Sequence, residues 1–413
     1  KVLGFTGADN QGIIGLEVSY EKFLKGIDGA ILTTTTAGGV EIENGAEERV
    51  EPVSGQNLTT SLDVTIMQYA DQVANQILQK KKAKSVDIIV MNPNNGEIYA
   101  MACAPEFDLN SPFEITGDTA SMTAKEKQDL RNQMWRNPCV SDTYEPGSTF
   151  KILTSAAGIE KKVVTMNDHF FCPGYRIVED RRIRCHKTTG HGSETFLQGI
   201  MNSCNPVFMD VGSRLGVHNF FEELNQFQLM KRTGIDLPGE AATIFHKEDK
   251  VGAVELATIS FGQSFQISPV RLLASCSAII NGGTSVTPHV GVSTAREDGS
   301  YMKKFTYPGG TRVVSKETSD QIREALGKVV SEGTGKNAGV EGYEVGAKTG
   351  TSQKLPRGNG KYIASTLAFA PVSKPEVITL VRIDEPEGTY YGGTVAAPVV
   401  SQLYTNLLPY ILK

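Results

Sequence analysis

A serine and a lysine lie three residues apart at the start of a run of apolar residues. Ser148 and Lys151 follow the turn-forming pair Pro146-Gly147, and the residues from Phe150 to Ile159 predict an apolar helix. One helical turn would place both side chains on the same face. A buried lysine there could lose its proton and activate the serine hydroxyl as a nucleophile. The ordinary alternative is a helix cap followed by a surface lysine.

Two further short motifs follow in an order that favours the nucleophile. Ser203-Cys204-Asn205 lies 55 residues after Ser148, and Lys348-Thr349-Gly350-Thr351 lies nearer the C-terminal end. Each motif alone carries little information, and the Lys-Thr-Gly segment lacks the upstream glycine of a P-loop. Together, Ser-x-x-Lys, Ser-x-Asn and Lys-Thr-Gly form the set found in penicillin-recognising serine enzymes.

Three cysteines and a histidine form a second group, whose side chains could bind a metal ion. Cys172, Cys185, His191 and Cys204 are separated by 12, 5 and 12 residues. A hairpin predicted to turn near residues 179–180 would bring the first two cysteines together, and the glycines beside His191 would let its imidazole turn inward. Three thiolates and one imidazole make a closed tetrahedral site for a structural Zn²⁺ beside the Ser-x-Asn loop.

Other interpretations of this cluster stay open from the sequence alone. Cys172 and Cys185 could form a disulfide outside the cell, with Cys204 as a small buried residue, or all three could be free thiols. Three nearby side chains could replace a metal ligand: Asp168, His169 and His186. The remaining cysteines are predicted to be ordinary buried thiols: Cys103, Cys139 and Cys276.

The elements that must position these motifs predict an α+β domain. A helix with apolar residues spaced by three or four covers residues 66–77, and a hairpin joins 86–91 to 98–101. Residues 120–280 are mostly helical in pattern. Strands return at 366–369 and 377–383, and a final helix covers 395–408. Strands near both ends of the chain predict a central sheet built from distant segments.

The first 57 residues differ from the rest. A short helical pattern at 15–24 precedes a run of four threonines, Thr33 to Thr36, and several glycines, which suit extended strands and turns. Their apolar content is too low for an independent core. We therefore predict that residues 1–57 are the remnant of an accessory region packed on a main domain of residues 58–413.

Composition excludes several functional classes. The 413 residues include 41 Lys plus Arg against 46 Asp plus Glu, for a formal net charge of -5, which argues against nucleic acid as a main partner. At 39% hydrophobic the chain can bury a sizeable core. No apolar run is long enough to cross a bilayer, and no signal peptide opens the sequence. The start at Lys1 without a methionine is interpreted as the cut end of an extracellular segment.

The motifs sit in longer segments that resemble class B penicillin-binding proteins, the monofunctional D,D-transpeptidases. Residues 144–151, Tyr-Glu-Pro-Gly-Ser-Thr-Phe-Lys, resemble the active-site segment of that family. Residues 136–142, 190–192 and 346–351 are also similar, as is the C-terminal run Tyr390-Tyr391-Gly392-Gly393 followed by Ala396-Ala397-Pro398. The resemblance covers about residues 50–413, and the first 50 residues resemble the base of the family's N-terminal pedestal. Within the family the chain looks most like the sporulation-specific, spore-cortex type of Gram-positive spore formers.

The resemblance implies a fold and a set of roles. The fold would have a central antiparallel sheet flanked by helices, with an all-helical lobe. Ser148 would attack the penultimate D-Ala carbonyl of a peptidoglycan stem peptide, and Lys151 would take the serine proton. Ser203 would relay a proton to the leaving D-Ala, and Asn205 would bind the substrate amide. The third motif would bind the substrate carboxylate. Lys348 would supply positive charge near it, and the hydroxyls of Thr349 and Thr351, on either side of Gly350, would bind it.

Further implications concern the oxyanion, inhibitors, metal, partners and location. The backbone N–H groups of Ser148 and Thr351 would form the oxyanion hole, and β-lactams would acylate Ser148. Some elongation-type relatives hold zinc with ligands at equivalent places. A membrane glycosyltransferase of the shape, elongation, division and sporulation family would be the partner. The protein would work at the extracytoplasmic face of the cell membrane, through an N-terminal anchor absent from this chain.

Sibling activities remain as alternatives. They are a D,D-carboxypeptidase or β-lactamase, a β-lactam-sensing receptor, and a purely structural partner in wall synthesis. Nothing in the sequence marks the deacylating carboxylate of class A β-lactamases, and Glu145 is predicted to be structural. Rapid antibiotic hydrolysis is therefore disfavoured.

Overall fold

The chain is represented by a computed structural model that describes residues 1–33, 38 and 47–412. Most of the predicted threonine run, from 34 to 36, lies outside the described residues. The described strands are β1 (Ala30–Thr33), β2 (Glu47–Val50), β3 (Asn57–Thr60), β4 (Ser85–Met91), β5 (Ile98–Ala104), β6 (His169–Cys172), β7 (Tyr175–Val178), β8 (Arg181–Arg184), β9 (Gly192–Thr195), β10 (Gly291–Ala295), β11 (Lys303–Lys304), β12 (Gly346–Gln353), β13 (Tyr362–Ala370) and β14 (Val377–Asp384).

The described helices form the second class of element. They are α1 (Gly15–Ser19), α2 (Glu21–Leu24), α3 (Val64–Lys81), α4 (Ala124–Trp135), α5 (Pro138–Ser141), α6 (Lys151–Glu160), α7 (Phe196–Met201), α8 (Asn205–Gln226), α9 (Ala253–Ser260), α10 (Pro269–Ile280), α11 (Lys316–Ser331), α12 (Gly392–Val395) and α13 (Ala397–Ile411). Short 3₁₀ turns cover Gly147–Phe150, Glu248–Lys250 and Lys336–Ala338.

A five-stranded antiparallel sheet is the centre of the fold, with strand order β12-β13-β14-β4-β5. Its strands come from residues 85–104 and 346–384, so the prediction of a sheet built from distant segments is confirmed. Alternate residues point to opposite faces, and both faces are buried. Ile89 and Leu367 belong to the core on one face, whereas Ile88 and Ala368 belong to the core on the other.

Helices cover both faces of this sheet. The core on one face includes α3 and α13, with buried residues such as Val73 and Leu403. The core on the other face includes α6, α8 and α10, whose apolar residues fill the largest hydrophobic cluster. Because α6 runs inside this second layer, almost all of its residues are buried. The nucleophile motif therefore begins at a helix that is fixed by packing along most of its length.

The N-terminal residues share this larger core. Val2, Leu16 and Tyr20 are buried within it, and β3 pairs with β10 in antiparallel register. The Tyr20 hydroxyl also donates to Asp236, at 2.5 Å. The predicted division between residues 1–57 and 58–413 stays a prediction. The contacts show that at least part of the first segment packs against the second.

Several predicted elements are confirmed, and the structure adds strands that the sequence analysis did not predict. Helix α3, the β4–β5 hairpin, β13, β14 and α13 occur where periodicity predicts them. The 120–280 region also holds four short strands, β6 to β9, because its cysteine-rich part forms two small two-stranded sheets. Strand β12 was not predicted as a full strand because its glycines and polar residues have weak strand propensity. Pairing with β13 over eight residues decides its conformation. In the described part of the chain, we find no helix with the length and hydropathy that a bilayer crossing requires.

Candidate active site

Ser148 is positioned by a tight turn rather than by a regular helix start. The 3₁₀ turn Gly147–Phe150 precedes α6, and residues three apart are eclipsed in such a turn. Gly147 has φ 56°, and a Cβ there would lie 2.9 Å from the Thr351 carbonyl oxygen. Only glycine therefore lets the turn approach β12 so closely. Ser148 is half-buried at a cavity, and no side chain caps either the turn or α6, so the helix-cap alternative is wrong.

Lys151 is buried one turn further along, as the nucleophile interpretation requires. It is 1% exposed. Its Nζ lies 2.7 Å from the Ser203 carbonyl oxygen, 2.7 Å from Asn205 Oδ1 and 3.2 Å from Ser203 Oγ. Burial lowers the pKa of Lys151 to about 8. Within the described residues no carboxylate forms a salt bridge with it, so the neutral amine is accessible near neutral pH.

Ser203 joins the first motif to the third. A capping box starts α7, and the chain then turns through Ser203 at φ 55° before α8 begins at Asn205. This left-handed backbone is uncommon for a serine. Its Oγ accepts from Lys151 and, at 2.8 Å, from Lys348. Because both lysines act as donors, the Ser203 hydroxyl keeps its own hydrogen for another acceptor.

The Lys-Thr-Gly-Thr segment lies on β12, the edge strand that faces the serine turn. Lys348 is fully buried, and burial, followed by the nearby charge of Lys151, lowers its pKa well below the usual lysine value. Thr349, Gly350 and Thr351 line the same cavity as Ser148. The Thr351 hydroxyl accepts from the Gly392 N–H at 2.9 Å, which fixes its direction. The structure thus brings together all eight predicted catalytic and substrate-binding residues.

The cavity at these residues has a volume of about 460 Å³. One wall is aromatic: Tyr362 and Tyr390 stack with ring centroids 3.7 Å apart, and Tyr391 lies beside them. Arg184 and His186 also line the cavity. Sequence reasoning used the Tyr-Tyr-Gly-Gly run only as a family signal and missed Arg184 entirely. The arginines of the predicted hairpin were the sequence feature from which Arg184 could have been proposed as a site residue.

Glu145 is structural, as predicted from the sequence. One of its oxygens accepts from the Ser264 N–H at 3.0 Å, and the other pairs with Arg357. It does not line the cavity, and none of the described lining residues is an aspartate or glutamate. A carboxylate that could activate water for fast deacylation is therefore missing from the described wall of the cavity.

The cysteine–histidine cluster forms directly behind the Ser-x-Asn motif. The metal-binding atoms of Cys172, Cys185, His191 and Cys204 all lie within 4.8 Å of one another. Cys172 ends β6, Cys185 follows the predicted hairpin, now β7–β8, and Cys204 precedes α8. Glu179 takes φ 54° at the hairpin turn, where the sequence predicted it. All six cysteines of the chain are free thiols.

The donor set fits a zinc ion. Tetrahedral Zn–S bonds would separate ligand atoms by about 3.8 Å, and Cys185 Sγ lies 3.8 Å from His191 Nδ1. The pKa of Cys185 is lowered because the Cys204 thiol donates to it, and the pKa of Cys204 is raised by the same bond. Glu194 is 3% exposed, and its Oε1 has no hydrogen-bond partner in the structure, 3.8 Å from His191 Nδ1.

The three side chains that could replace a metal ligand are less well placed to bind the ion than the four in the cluster. Asp168 is paired with Arg214 at 2.7 Å, and His169 is exposed on β6. His186 Nδ1 is 3.8 Å from Cys185 Sγ, but the ring is exposed outside the buried group of four. A second buried group joins Cys103 and Cys139, whose sulfurs are 3.6 Å apart, to Asp87. That carboxylate already pairs with Arg382 at 2.7 Å.

The low pKa of Lys151 predicts a pH-dependent acylation rate. The neutral amine is the competent base, so the rate should rise about tenfold from pH 6 to 7 and level off above a pKa of about 8. An unperturbed lysine would keep the rate rising beyond pH 9. Stopped-flow acylation by a β-lactam between pH 6 and 9.5 measures the profile. A flat profile from pH 6 to 8 would contradict the assignment of Lys151 as base.

Comparison with known proteins finds clear similarity. The sequence matches the family described as penicillin binding protein transpeptidase domain over residues 87–405. It is 39% identical to stage V sporulation protein D of Bacillus subtilis, over 99% of this chain and 62% of that protein. It is 29% identical to the probable peptidoglycan D,D-transpeptidase PenA of Neisseria meningitidis, over 96% of this chain and 64% of that protein.

A solved structure extends the similarity to three dimensions. Penicillin binding protein 3 from Mycobacterium tuberculosis, complexed with ampicillin, superposes with a TM-score of 0.83 at 26% identity. The superposition covers 99% of this chain and 86% of that one. The chain spans less than two thirds of the length of both sequence relatives.

Proposed function

Because this chain belongs to the penicillin-binding protein transpeptidase family, we propose that it is a peptidoglycan D,D-transpeptidase acting through a Ser148 acyl-enzyme. The observation that carries the proposal is that two buried lysines contact the same hydroxyl beside the cavity lined by Ser148. Lys151 Nζ lies 3.2 Å and Lys348 Nζ 2.8 Å from Ser203 Oγ. Lysines without carboxylate partners, buried and close together, favour their neutral forms. Such a site is suited to moving protons at neutral pH.

The reaction divides into two acyl transfers. Ser148 Oγ attacks the penultimate D-Ala carbonyl while Lys151 takes the hydroxyl proton, and the backbone N–H groups of Ser148 and Thr351 stabilise the oxyanion. The C–N bond to the terminal D-Ala breaks, and Ser203 passes a proton to the leaving amine. An amine of a neighbouring stem then attacks the ester carbonyl, the C–O bond to Ser148 breaks, and the proton lost by the amine returns through Lys151 to the Ser148 oxygen. Asn205 holds the substrate amide, and Thr349 and Thr351 hold the terminal carboxylate.

β-Lactams acylate Ser148 as a substrate does, but the acyl group is not transferred further. The amide of the lactam ring takes the place of the D-Ala–D-Ala bond, and Ser148 becomes acylated. The described cavity lining has no Asp or Glu to activate water, which favours a long-lived adduct. Inhibition by β-lactams is therefore part of the proposal.

The biological setting is proposed from the relatives. Similarity to stage V sporulation protein D favours a role in sporulation, in the spore cortex or septal wall. The working place would be the extracytoplasmic face of the cell membrane, reached through an N-terminal anchor. The partner would be a membrane glycosyltransferase of the shape, elongation, division and sporulation family, and nucleic acid is not expected to bind.

A donor and an acceptor test the proposed activity. The protein is incubated with a stem peptide that ends in D-Ala-D-Ala, with and without an amine acceptor, and products are separated by mass. We expect release of one D-Ala and a new amide to the acceptor. Hydrolysis alone, unaffected by the amine, would favour a D,D-carboxypeptidase. Stable penicillin acylation without peptide turnover would favour a β-lactam-sensing receptor.

We further propose that Cys172, Cys185, His191 and Cys204 hold one structural zinc ion. The bound ion would supply no reaction chemistry, because four protein ligands leave no open position. It would tie the β7–β8 hairpin to the loop that carries Ser203, since Cys204 lies between Ser203 and Asn205. The site therefore supports the position of the proton relay.

Removal of the zinc should lower both stability and acylation. Freshly purified protein should carry one zinc per chain by plasma mass spectrometry, and chelation or acid should release it, since the thiolates must be deprotonated to bind. Structural zinc can contribute several kcal/mol to folding. Cys185→Ser should therefore lower the melting temperature, whereas Cys276→Ser, another buried thiol, should keep the metal. Never-chelated protein without zinc, or a Cys172–Cys185 disulfide in non-reducing peptide maps, would reject the site.

A further inference from the structure

The β7–β8 hairpin has two faces with different surroundings. Opposed residues in an antiparallel pair share a face, and Tyr175 opposes Arg184 while Arg176 opposes Ile183. On the second of these faces Arg176 forms a two-bond ion pair with Asp210 of α8. Ile183 on that face packs against the main core. This face is therefore the attached one.

The other face is open and carries two guanidinium groups. Ile177 on this face is 65% exposed. Arg182 stacks on the Tyr175 ring, with its guanidinium carbon 3.8 Å from the centroid. Arg184, two residues on, is exposed and lines the cavity that holds Ser148. Within the described residues, its side chain has no hydrogen bond or ion pair.

The backbone at Arg184 is held in place although its side chain is free. Its carbonyl oxygen accepts from Asn205 Nδ2 at 3.2 Å, and the next N–H, of Cys185, donates to Gly174 at 2.8 Å. The backbone of Arg184 is therefore fixed beside Asn205, the residue proposed to bind the substrate amide. None of the described lining residues is an aspartate or glutamate, so no carboxylate of the described cavity wall pairs with this guanidinium.

We propose that Arg184 binds a second carboxylate of the acyl donor, on the amino side of the bond that is cleaved. The inference rests on the proposed function, in which Thr349 and Thr351 hold the terminal carboxylate and Asn205 holds the amide. The donor residue before D-Ala-D-Ala then lies next to Arg184. A guanidinium pairs with a carboxylate through two parallel hydrogen bonds. The site would therefore favour donor stems with a free side-chain carboxylate at this residue over stems with lysine or an amidated residue there.

Two penicillins that differ by one carboxylate provide the test. Carbenicillin is benzylpenicillin with an added carboxylate on the side-chain carbon that corresponds to the α-carbon of this donor residue. It therefore tests for a positive charge beside that residue, and donor peptides test the reach to the end of the side chain. We define the charge preference as the second-order acylation rate constant for carbenicillin divided by that for benzylpenicillin. A merely structural effect of a substitution changes both rates alike and leaves this ratio unchanged.

Substitution of Arg184 should lower the charge preference. Arg184→Ala should reduce the ratio about tenfold, as expected for a partly exposed charge-assisted contact. Arg184→Lys should restore part of it, and Arg184→Glu should lower it further. Arg181→Ala, on the attached face and near the turn, is the matched control and should leave the ratio unchanged. Donor peptides with a free or amidated side-chain carboxylate should show the same dependence in KM.

The outcomes separate the inference from the proposed function. If both the ratio and the KM difference between free and amidated donor peptides stay within twofold of wild type in Arg184→Ala and Arg184→Glu, the role of Arg184 is overturned, while acylation itself would leave the transpeptidase proposal standing. Failure of both penicillins to acylate the wild-type protein would contradict the proposed function and the inference with it. Melting temperatures of all variants show whether each protein is folded.

Discussion

Ser148→Ala should abolish covalent binding of penicillin while the protein stays folded. Wild-type protein at saturating benzylpenicillin should gain the mass of one drug molecule, and peptide mapping should place it on Ser148. The alanine variant has no nucleophilic oxygen at this position, so no adduct should form. Because the Ser148 hydroxyl caps no helix, its loss should change the free energy of unfolding by less than about 0.5 kcal/mol.

The control for this experiment lies on the following helix. Ser155 is buried in α6, and its Oγ has no hydrogen-bond partner in the structure. Ser155→Ala should therefore keep both the fold and the adduct. An adduct that persists in Ser148→Ala, or that maps to another residue in the wild type, would refute the assignment of the nucleophile.

Lys151→Ala should slow acylation by about 10²–10⁴-fold, the range expected when a general base is removed. The serine hydroxyl is a weak nucleophile near neutral pH unless a nearby base takes its proton. Lys151 is placed for this by burial and by its contacts with Ser203 and Asn205, and burial lowers its pKa to about 8. Stopped-flow acylation by a chromogenic β-lactam measures the loss, and circular dichroism shows whether the variant is folded.

A second lysine at the other end of the same helix is the matched control. Lys161 follows α6 and pairs with Glu222 at the surface, 2.7 Å away. Lys161→Ala should leave the acylation rate unchanged. It also removes the ion partner of the buried Glu223, 3.5 Å away, and should therefore lower the stability by about 1–3 kcal/mol. If Lys151→Ala acylated at a near-normal rate, the base would have to be sought at Ser203 or Lys348, which meet at the same hydroxyl.

Local sequence patterns were enough for the elements with strong periodicity and for the three motifs. Helix α3 and the β4–β5 hairpin follow from apolar spacing and turn residues. The α+β class and the penicillin-binding fold implied by the motifs are confirmed by the five-stranded antiparallel sheet and by the family match. The spacing of Cys172, Cys185, His191 and Cys204 was sufficient to predict their proximity, because the hairpin between the first two is a local structure.

Tertiary structure alone decided what these residues do together. Lys348 and Ser203 are 145 residues apart and meet because β12 pairs with β13 at the edge of the sheet and packs against the serine turn. The low pKa of Lys151 depends on burial by α8 and its neighbours, and burial is a property of packing that no single motif encodes. Arg184 became a candidate only when the hairpin register placed it at the cavity. Motifs determine which chemistry is available, whereas long-range pairing and packing set the distances and the dielectric surroundings in which it occurs.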